Sequence, residues 1–312
     1  MNHPHPILIT GAAGKTGAIG PTVVKALLAR GFQVRAMVRR EDERSEYLKG
    51  LGAELVVGDL LDIHAMHRAM KGVKRVYFSM SVAPTYLEAT TNVAAIAKHH
   101  GVEAFVNISQ MTVSQMSIDE TTDSPQHKQH WLAETVLRWS GLPVVTIRPT
   151  AFLDVLFLQL VAASVQRSNA LMLPFSLGKT SPIAAYDVAR CVTEVLAEPE
   201  PHIGKVYELT GPIAQDMHGV AREFSSALGR TISYVDVPPA PWEERVQAVT
   251  NGAASPHLFT HLKTMAALHR LGRYDRKTNG VELITGTPAM SIEQFVRNNS
   301  QAFAPVAAGS QD

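Results

Sequence analysis

Six short apolar runs, each followed by a segment long enough for a helix, restrict the fold of this 312-residue chain more than any other feature. They are residues 6–10 (PILIT), 33–38 (QVRAMV), 54–57 (ELVV), 75–79 (RVYFS), 104–109 (AFVNIS) and 144–148 (VVTIR). Each is rich in Val, Ile, Phe or Tyr and nearly continuous in apolar character, as strands buried on both faces of a parallel sheet require. Between them, residues 21–30 carry Val23, Val24, Leu27 and Leu28 at helical spacing. Residues 87–99 do the same with Ala94, Ala95 and Ile96, and residues 126–139 with Leu132, Val136 and Leu137. This β-α-β-α alternation predicts an α/β fold, a doubly wound parallel sheet over residues 1–150.

Beyond Pro149 the rhythm changes. Helices are expected at 152–166, 186–197, 216–228, 242–249, 257–271 and 292–302, with strands such as 206–209 and 233–237. Residues 151–303 therefore read as a smaller, mostly helical lobe on the substrate side, with both halves contributing to the sheet, and 304–312 as a flexible tail. Two units also fit a chain of this length at about 150 residues per domain. With 29 Lys and Arg against 28 Asp and Glu, the net charge of +1 speaks against a dedicated nucleic-acid binder. A single cysteine, Cys191, excludes an internal disulfide. The first six residues have neither a basic nor an apolar region of a signal peptide. The most apolar stretch, 151–165, carries Asp154 and falls short of the roughly 20 residues that span a bilayer. A cytoplasmic protein without membrane contact is expected.

The first run leads directly into Gly11-Ala12-Ala13-Gly14-Lys15-Thr16-Gly17. Glycines between a strand and a helix permit a tight turn, let the backbone approach a pyrophosphate, and let helix and strand pack closely. Gly11, Ala13, Gly14, Lys15, Thr16 and Gly17 are thus candidate cofactor-binding residues. A second register, Gly14, Gly17 and Gly20, overlaps the first, and Pro21 suits the first position of a helix. At the end of the second strand, where a carboxylate would accept from an unphosphorylated ribose, stand Arg39 and Arg40. Two guanidinium groups suit a 2′-phosphate, so NADP(H) is expected over NAD(H), although Glu41, Asp42 and Glu43 also balance this turn. Asp59 and Leu60 follow the third strand, and Ser79 and Met80 close the fourth. All four are expected at the cofactor edge, although Asp59 also fits a helix cap.

With these residues in place, the chain resembles the NmrA-like, atypical short-chain dehydrogenase/reductase proteins over nearly its whole length. The resemblance rests on ITGAAGKTG, VRAMVRR, VVGDL, FVNIS, HWLAETVLRWSGLPVVTIRPTAF (130–152) and GKVYELTGP (204–212). The pattern E-x-x-L-x-x-S-G-L-x-x-x-x-x-R-P, from Glu134 to Pro149, is its most specific piece. It implies a Rossmann domain with a small C-terminal lobe. It also implies either an NADPH-dependent reductase of quinones and dyes, or a non-enzymatic protein that binds NADP(H) and responds to its redox state.

Many members of the wider superfamily use a Ser at the end of the fifth strand and a Tyr-x-x-x-Lys pair on the next helix. Here Ser109 stands at the Ser position, while Gln126 and His130 match the Tyr and Lys. The usual acid is absent, so Ser109 and His130 are the catalytic candidates. His130 is expected to bond the nicotinamide ribose or to relay a proton near neutral pH. Tyr86 is a positional alternative as proton donor. Pro149 and Phe152 are expected beside the nicotinamide, with Phe152, Phe157 and Met172 as an apolar wall for a planar substrate. The pairs His257/His261 and His127/His130 lack a third ligand, so no metal is expected. Arg270, Arg273 and Arg276 are expected to cap the 257–271 helix.

Two functions remain open at this point. One is an NADPH-dependent oxidoreductase of a small planar acceptor such as a quinone. The other is a non-catalytic redox sensor that acts through a regulatory protein partner.

Overall fold

The computed structural model describes residues 5–14, 19–249 and 255–306. The first half contains β1 (Ile7–Ile9), α1 (Ile19–Ala29), β2 (Val34–Val38), α2 (Glu43–Gly50), β3 (Glu54–Val57), α3 (Ile63–Met70), β4 (Arg75–Phe78), α4 (Tyr86–His99), β5 (Ala104–Ile108), α5 (Pro125–Trp139) and β6 (Val144–Pro149). The second half contains α6 (Ala162–Ser168), β7 (Ala170–Leu173), α7 (Ala185–Ala197), β8 (Val206–Leu209), α8 (Met217–Leu228), β9 (Ser233–Asp236), α9 (Pro239–Val249), α10 (Pro256–Arg270), α11 (Gly280–Thr285) and α12 (Ile292–Asn298).

Seven strands form one parallel sheet in the order β3-β2-β1-β4-β5-β6-β8. The apolar runs alternate sides within it. Ile7 and Ile9 pack with Val23, Leu27, Val188 and Val192 beneath α1 and α7, whereas Leu8 joins Phe78, Phe105, Met66 and Val93 beneath α3 and α4. Burial on both sides explains why these strands read as continuous rather than alternating apolar runs. The expected doubly wound sheet is therefore present, and its strands end within a residue or so of the apolar runs.

A separate apolar core lies in the second half, where Phe157 meets Phe224 edge to face at 4.9 Å. β7 and β9 form a two-stranded parallel ribbon beside this core. The helix expected at 152–166 begins as a π-helix, Asp154–Val161, before continuing as α6. Its sequence DVLFLQLV is apolar on nearly every side, so no periodic stripe fixes a 3.6-residue register. The helix expected at 292–302 stops at Asn298 and gives way to a 3-10 turn, Ser300–Phe303. Elements α2, α3, α11 and β7 are short and were not anticipated. The proposed tail is described only to residue 306, and Lys15, Thr16 and Gly17 lie outside the described residues.

The supposed substrate wall is divided between two cores. Phe157 is fully buried in the second-half core with Met172 at its margin, while Phe152 packs against the sheet core. The three arginines also do not cap α10. Arg270 pairs with Asp236, Arg273 with Gln115 and Glu120, and Arg276 with Ser114 and Glu208. Carboxylates distant in sequence, Glu120 for Arg273 and Glu208 for Arg276, outcompete the local carbonyls because they give a guanidinium a charge-assisted bond.

Candidate active site

Strand order reverses between β1 and β4, and such a switch point opens a crevice at the strands' carboxyl ends. Thr10 fastens these two ends together. Its hydroxyl donates to the Ser79 carbonyl at 3.0 Å and accepts the Ser79 N–H at 2.9 Å. The chain then turns at Gly11 with φ of +63°, where an added Cβ would stand 3.0 Å from the Ser79 oxygen. A Cβ at Gly14 would approach the Gly11 oxygen to 3.1 Å, and one at Gly20 would overlap it at 2.4 Å. Gly20 in the first turn of α1 therefore provides the close helix-to-strand packing, as the second glycine register allows. Gly11 and Gly14 are exposed, leaving their backbone open to a ligand.

Arg39 and Arg40 are both exposed at the end of β2, and Arg40 lies 4.0 Å from Asp42. Arg44 is held more firmly. Its Nη1 donates to the Ala13 carbonyl at 2.8 Å and its Nε to Asp42 at 3.1 Å. Asp42 also caps α2, and its bond to Arg44 lowers its carboxyl pKa. Arg44 was missed in the sequence because its anchors lie on a helix cap and on a loop 31 residues away. Asp59 accepts the Leu61 N–H at 2.9 Å in a local turn, while Asp62 caps α3. Leu60, Ser79 and Met80 are half-buried near the same edge.

Farther along the edge, buried polar atoms lack partners. Ser109 is 4% exposed, and its hydroxyl makes no hydrogen bond. The same holds for both side-chain polar atoms of Asn107, the Gln110 amide nitrogen and the Thr150 hydroxyl. Of this set only Ser109 was singled out in the sequence, although the polar Asn107 inside FVNIS is itself a signal. A buried hydroxyl without a partner costs about 1–3 kcal/mol. Several of them lie together at one strand edge.

His130 belongs to this group. The Gln126 carbonyl oxygen accepts the Ala83 N–H at 3.3 Å, which turns the Gln126 amide nitrogen towards His130 Nε2 at 3.1 Å. His257 Nε2 reaches the same Gln126 oxygen at 2.8 Å. His130 therefore accepts at Nε2 and carries its proton on Nδ1, which is buried and without a partner. Burial, aided by nearby His261, pushes its pKa down to about 3. This corrects the expectation of a proton relay titrating near neutrality. Burial thus favours the neutral ring, with an unpartnered N–H at Nδ1. Tyr86 packs on His130 at 4.1 Å, but its hydroxyl donates to the Ile108 carbonyl at 2.8 Å. Burial raises its pKa, so it is not a ready proton donor.

The two histidine pairs do converge where α5 meets α10, but other groups engage them. Thr122 bonds His127, Ser124 bonds His261, and Gln126 bonds His257. Pro149 is buried at the end of β6, and half-buried Phe152 bridges to Ile183. The arrangement as a whole fits a dinucleotide: an open glycine turn, a guanidinium anchored to that turn, and orphaned donors along one strand edge.

The NmrA-like family model matches residues 5–270. The chain belongs to this family. Within it, the specific Glu134–Pro149 stretch has a structural role, since Arg148 grips Glu134 with two bonds at 2.9 and 2.5 Å and so ties β6 to α5. Over 292 residues this NmrA-like protein is 27% identical to an NAD(P)H azoreductase of Xenophilus azovorans, covering 93% of this chain and 97% of the relative. Its fold matches an NADPH-dependent quinone oxidoreductase of Escherichia coli complexed with NADPH. The TM-score is 0.79 at 22% identity, covering 94% of this chain and 99% of the other. A triphenylmethane reductase of Citrobacter sp. gives a TM-score of 0.79 at 21% identity, covering 96% and 99% of the two chains. Among the described residues, no helix is long and apolar enough to cross a membrane.

Proposed function

We propose that this NmrA-like protein is an NADPH-dependent oxidoreductase of a small, planar, electron-poor acceptor such as a quinone or an azo compound. The observation that carries the reading is the pair of buried, partnerless donors, the Ser109 hydroxyl and His130 Nδ1–H, at the edge that begins with the Gly11 turn. The azoreductase relative supports the redox class. When bound, NADPH supplies the hydride.

The chain's own residues bind and orient. The Gly11–Gly14 turn receives the pyrophosphate. Arg44, with Arg39 and Arg40, provides the positive charge for a 2′-phosphate. Ser79, Met80, Pro149 and Phe152 border the nicotinamide side, with Asp59 and Leu60 towards the adenine. Ser109 and His130 hold the nicotinamide ribose or the acceptor by donating hydrogen bonds. Neutral His130 is suited to positioning rather than to giving up a proton. A quinone needs less help from a protein acid than a ketone does, which fits a site where Gln126 stands in place of the usual Tyr.

The test is a fluorescence titration with NADPH and NADH, followed by absorbance at 340 nm with quinone and azo acceptors. Tight NADPH binding with oxidation only in the presence of an acceptor is the expected result. Tight binding without oxidation across the panel would replace the enzyme with the binding-only protein. Equal affinity for NADH would remove the role given to the arginines.

A further inference from the structure

On the opposite edge of the sheet, three imidazoles meet where two helices end. His67 lies in the last turn of α3, His99 is the last residue of α4, and His100 is its C-cap. His100 Nε2 and His67 Nδ1 are 3.1 Å apart. One ligand nitrogen from each of the three rings can be chosen so that all lie within 4.8 Å of one another. Among the described residues, this is the group of three or more His, Cys, Asp or Glu side chains that is so arranged, and it contains no carboxylate.

We propose that His67, His99 and His100 bind a borderline divalent metal ion of the Zn²⁺, Cu²⁺ or Ni²⁺ class and clamp the ends of α3 and α4 together. Zn–N bonds of about 2.0–2.1 Å place neighbouring nitrogens of a tetrahedral site roughly 3.3–3.4 Å apart. The His67–His100 pair is within a few tenths of an ångström of that spacing. His99 is exposed, so its ring can swing in to complete the set, leaving a fourth position for water.

The donor set selects the ion. All three ligands are imidazole nitrogens, which suit Zn²⁺, Cu²⁺ and Ni²⁺, whereas Mg²⁺ and Ca²⁺ need oxygen ligands. Lys71, the C-cap of α3, adds a positive charge nearby, which further disfavours an ion held by charge alone. The carbonyl ends of two helices point the negative poles of their dipoles towards this place, which favours a cation. α3 leads into β4 and α4 into β5, so the cluster sits at the strands' amino ends. It is separated from Ser79 and Ser109 by the strands' length, roughly 13 Å at about 3.3 Å per residue. The inference is thus independent of the redox reading.

The experiment uses the full chain without a polyhistidine tag. Zn²⁺ is titrated against a chromophoric competitor, and thermal unfolding is followed with and without Zn²⁺. One Zn²⁺ per chain and a raised melting temperature are expected. Both should be lost, or the affinity weakened about tenfold or more, in His67→Ala and His100→Gln. Far-UV circular dichroism checks that these variants fold. Electron paramagnetic resonance of the Cu²⁺ form should show three coupled nitrogens in the wild type and two in His99→Ala. Unchanged Zn²⁺ stoichiometry in both His67→Ala and His100→Gln would place the ion elsewhere and overturn the proposal. So would an absence of stoichiometric binding in the wild type.

Discussion

The strand-end edge and the charged row behind it treat buried polarity in opposite ways. Along the edge, Asn107, Ser109, Thr150 and His130 Nδ1 leave hydrogen-bonding capacity unused. Behind it, Glu134, Arg148, Glu208 and Arg276 form a continuous row in which each charge meets an opposite one. The row links α5, β6, β8 and the segment after α10, so it serves the fold. The edge leaves that capacity unmet by the protein itself. The proposed function rests on that unused capacity, not on the charged row.

Acidification should strain the α5–α10 contact, where His127, His130 and His261 meet, and the end of α10, where His269 stacks between Phe175 and Tyr274. Burial holds His130 near 3, His127 at about 2, and His261 and His269 at about 4, all below the ordinary value of 6.5. The unfolded chain then binds more protons than the folded one below pH 6.5, so stability falls as pH drops towards the folded-state values. Each histidine contributes on the order of 1 kcal/mol over the first unit below pH 6.5. Melting temperature measured from pH 7 to 5 should decline steeply. A flat profile would mean that these rings reach water.

Glu134→Ala comes next in size. It leaves Arg148 with only the more distant Glu208 and should cost about 3–5 kcal/mol of unfolding free energy in urea titrations. NADPH affinity of the folded protein should hardly change, which would separate the row from the edge.

Ser109→Ala sharpens the contrast from the other side. Removing a hydroxyl that has no partner should leave the apo protein as stable, or about 1 kcal/mol more so. Acceptor-dependent NADPH oxidation should fall by roughly tenfold or more. A stability loss of several kcal/mol would show that the hydroxyl serves the fold.

Legibility followed the same division. The sheet was readable because strands buried on both faces leave continuous apolar runs, and the glycine register pointed to both Gly11 and Gly20. Position and resemblance singled out Ser109 and His130, and the structure places both buried with an unpartnered polar atom. The neutral state of His130 was not, because it depends on Gln126 being oriented by Ala83 and on burial beneath α10. Arg273 and Arg276 were misjudged because their partners are distant in sequence, and Arg44 was missed because its bond to Ala13 spans 31 residues. The π-helix was hidden because its segment is apolar all round.

The smallest effect concerns cofactor choice. Arg44→Ala should reduce the preference for NADPH over NADH about tenfold, more than Arg39→Ala does, because the anchored guanidinium is already in place. The reverse order in paired titrations would return the selecting role to the end of β2.

The seventh strand has a consequence for how such a chain can be divided or diversified. β8 pairs with β6 only after an excursion through α6, β7 and α7, and α7 comes back to cover α1. A fragment ending at residue 150 would expose a raw strand edge and the apolar face that α7 covers, inviting aggregation. Heat should then melt both halves in a single calorimetric transition. New substrate ranges would have to arise by changes within loops and helices, since the lobe is laced into the sheet and cannot be exchanged as a cassette.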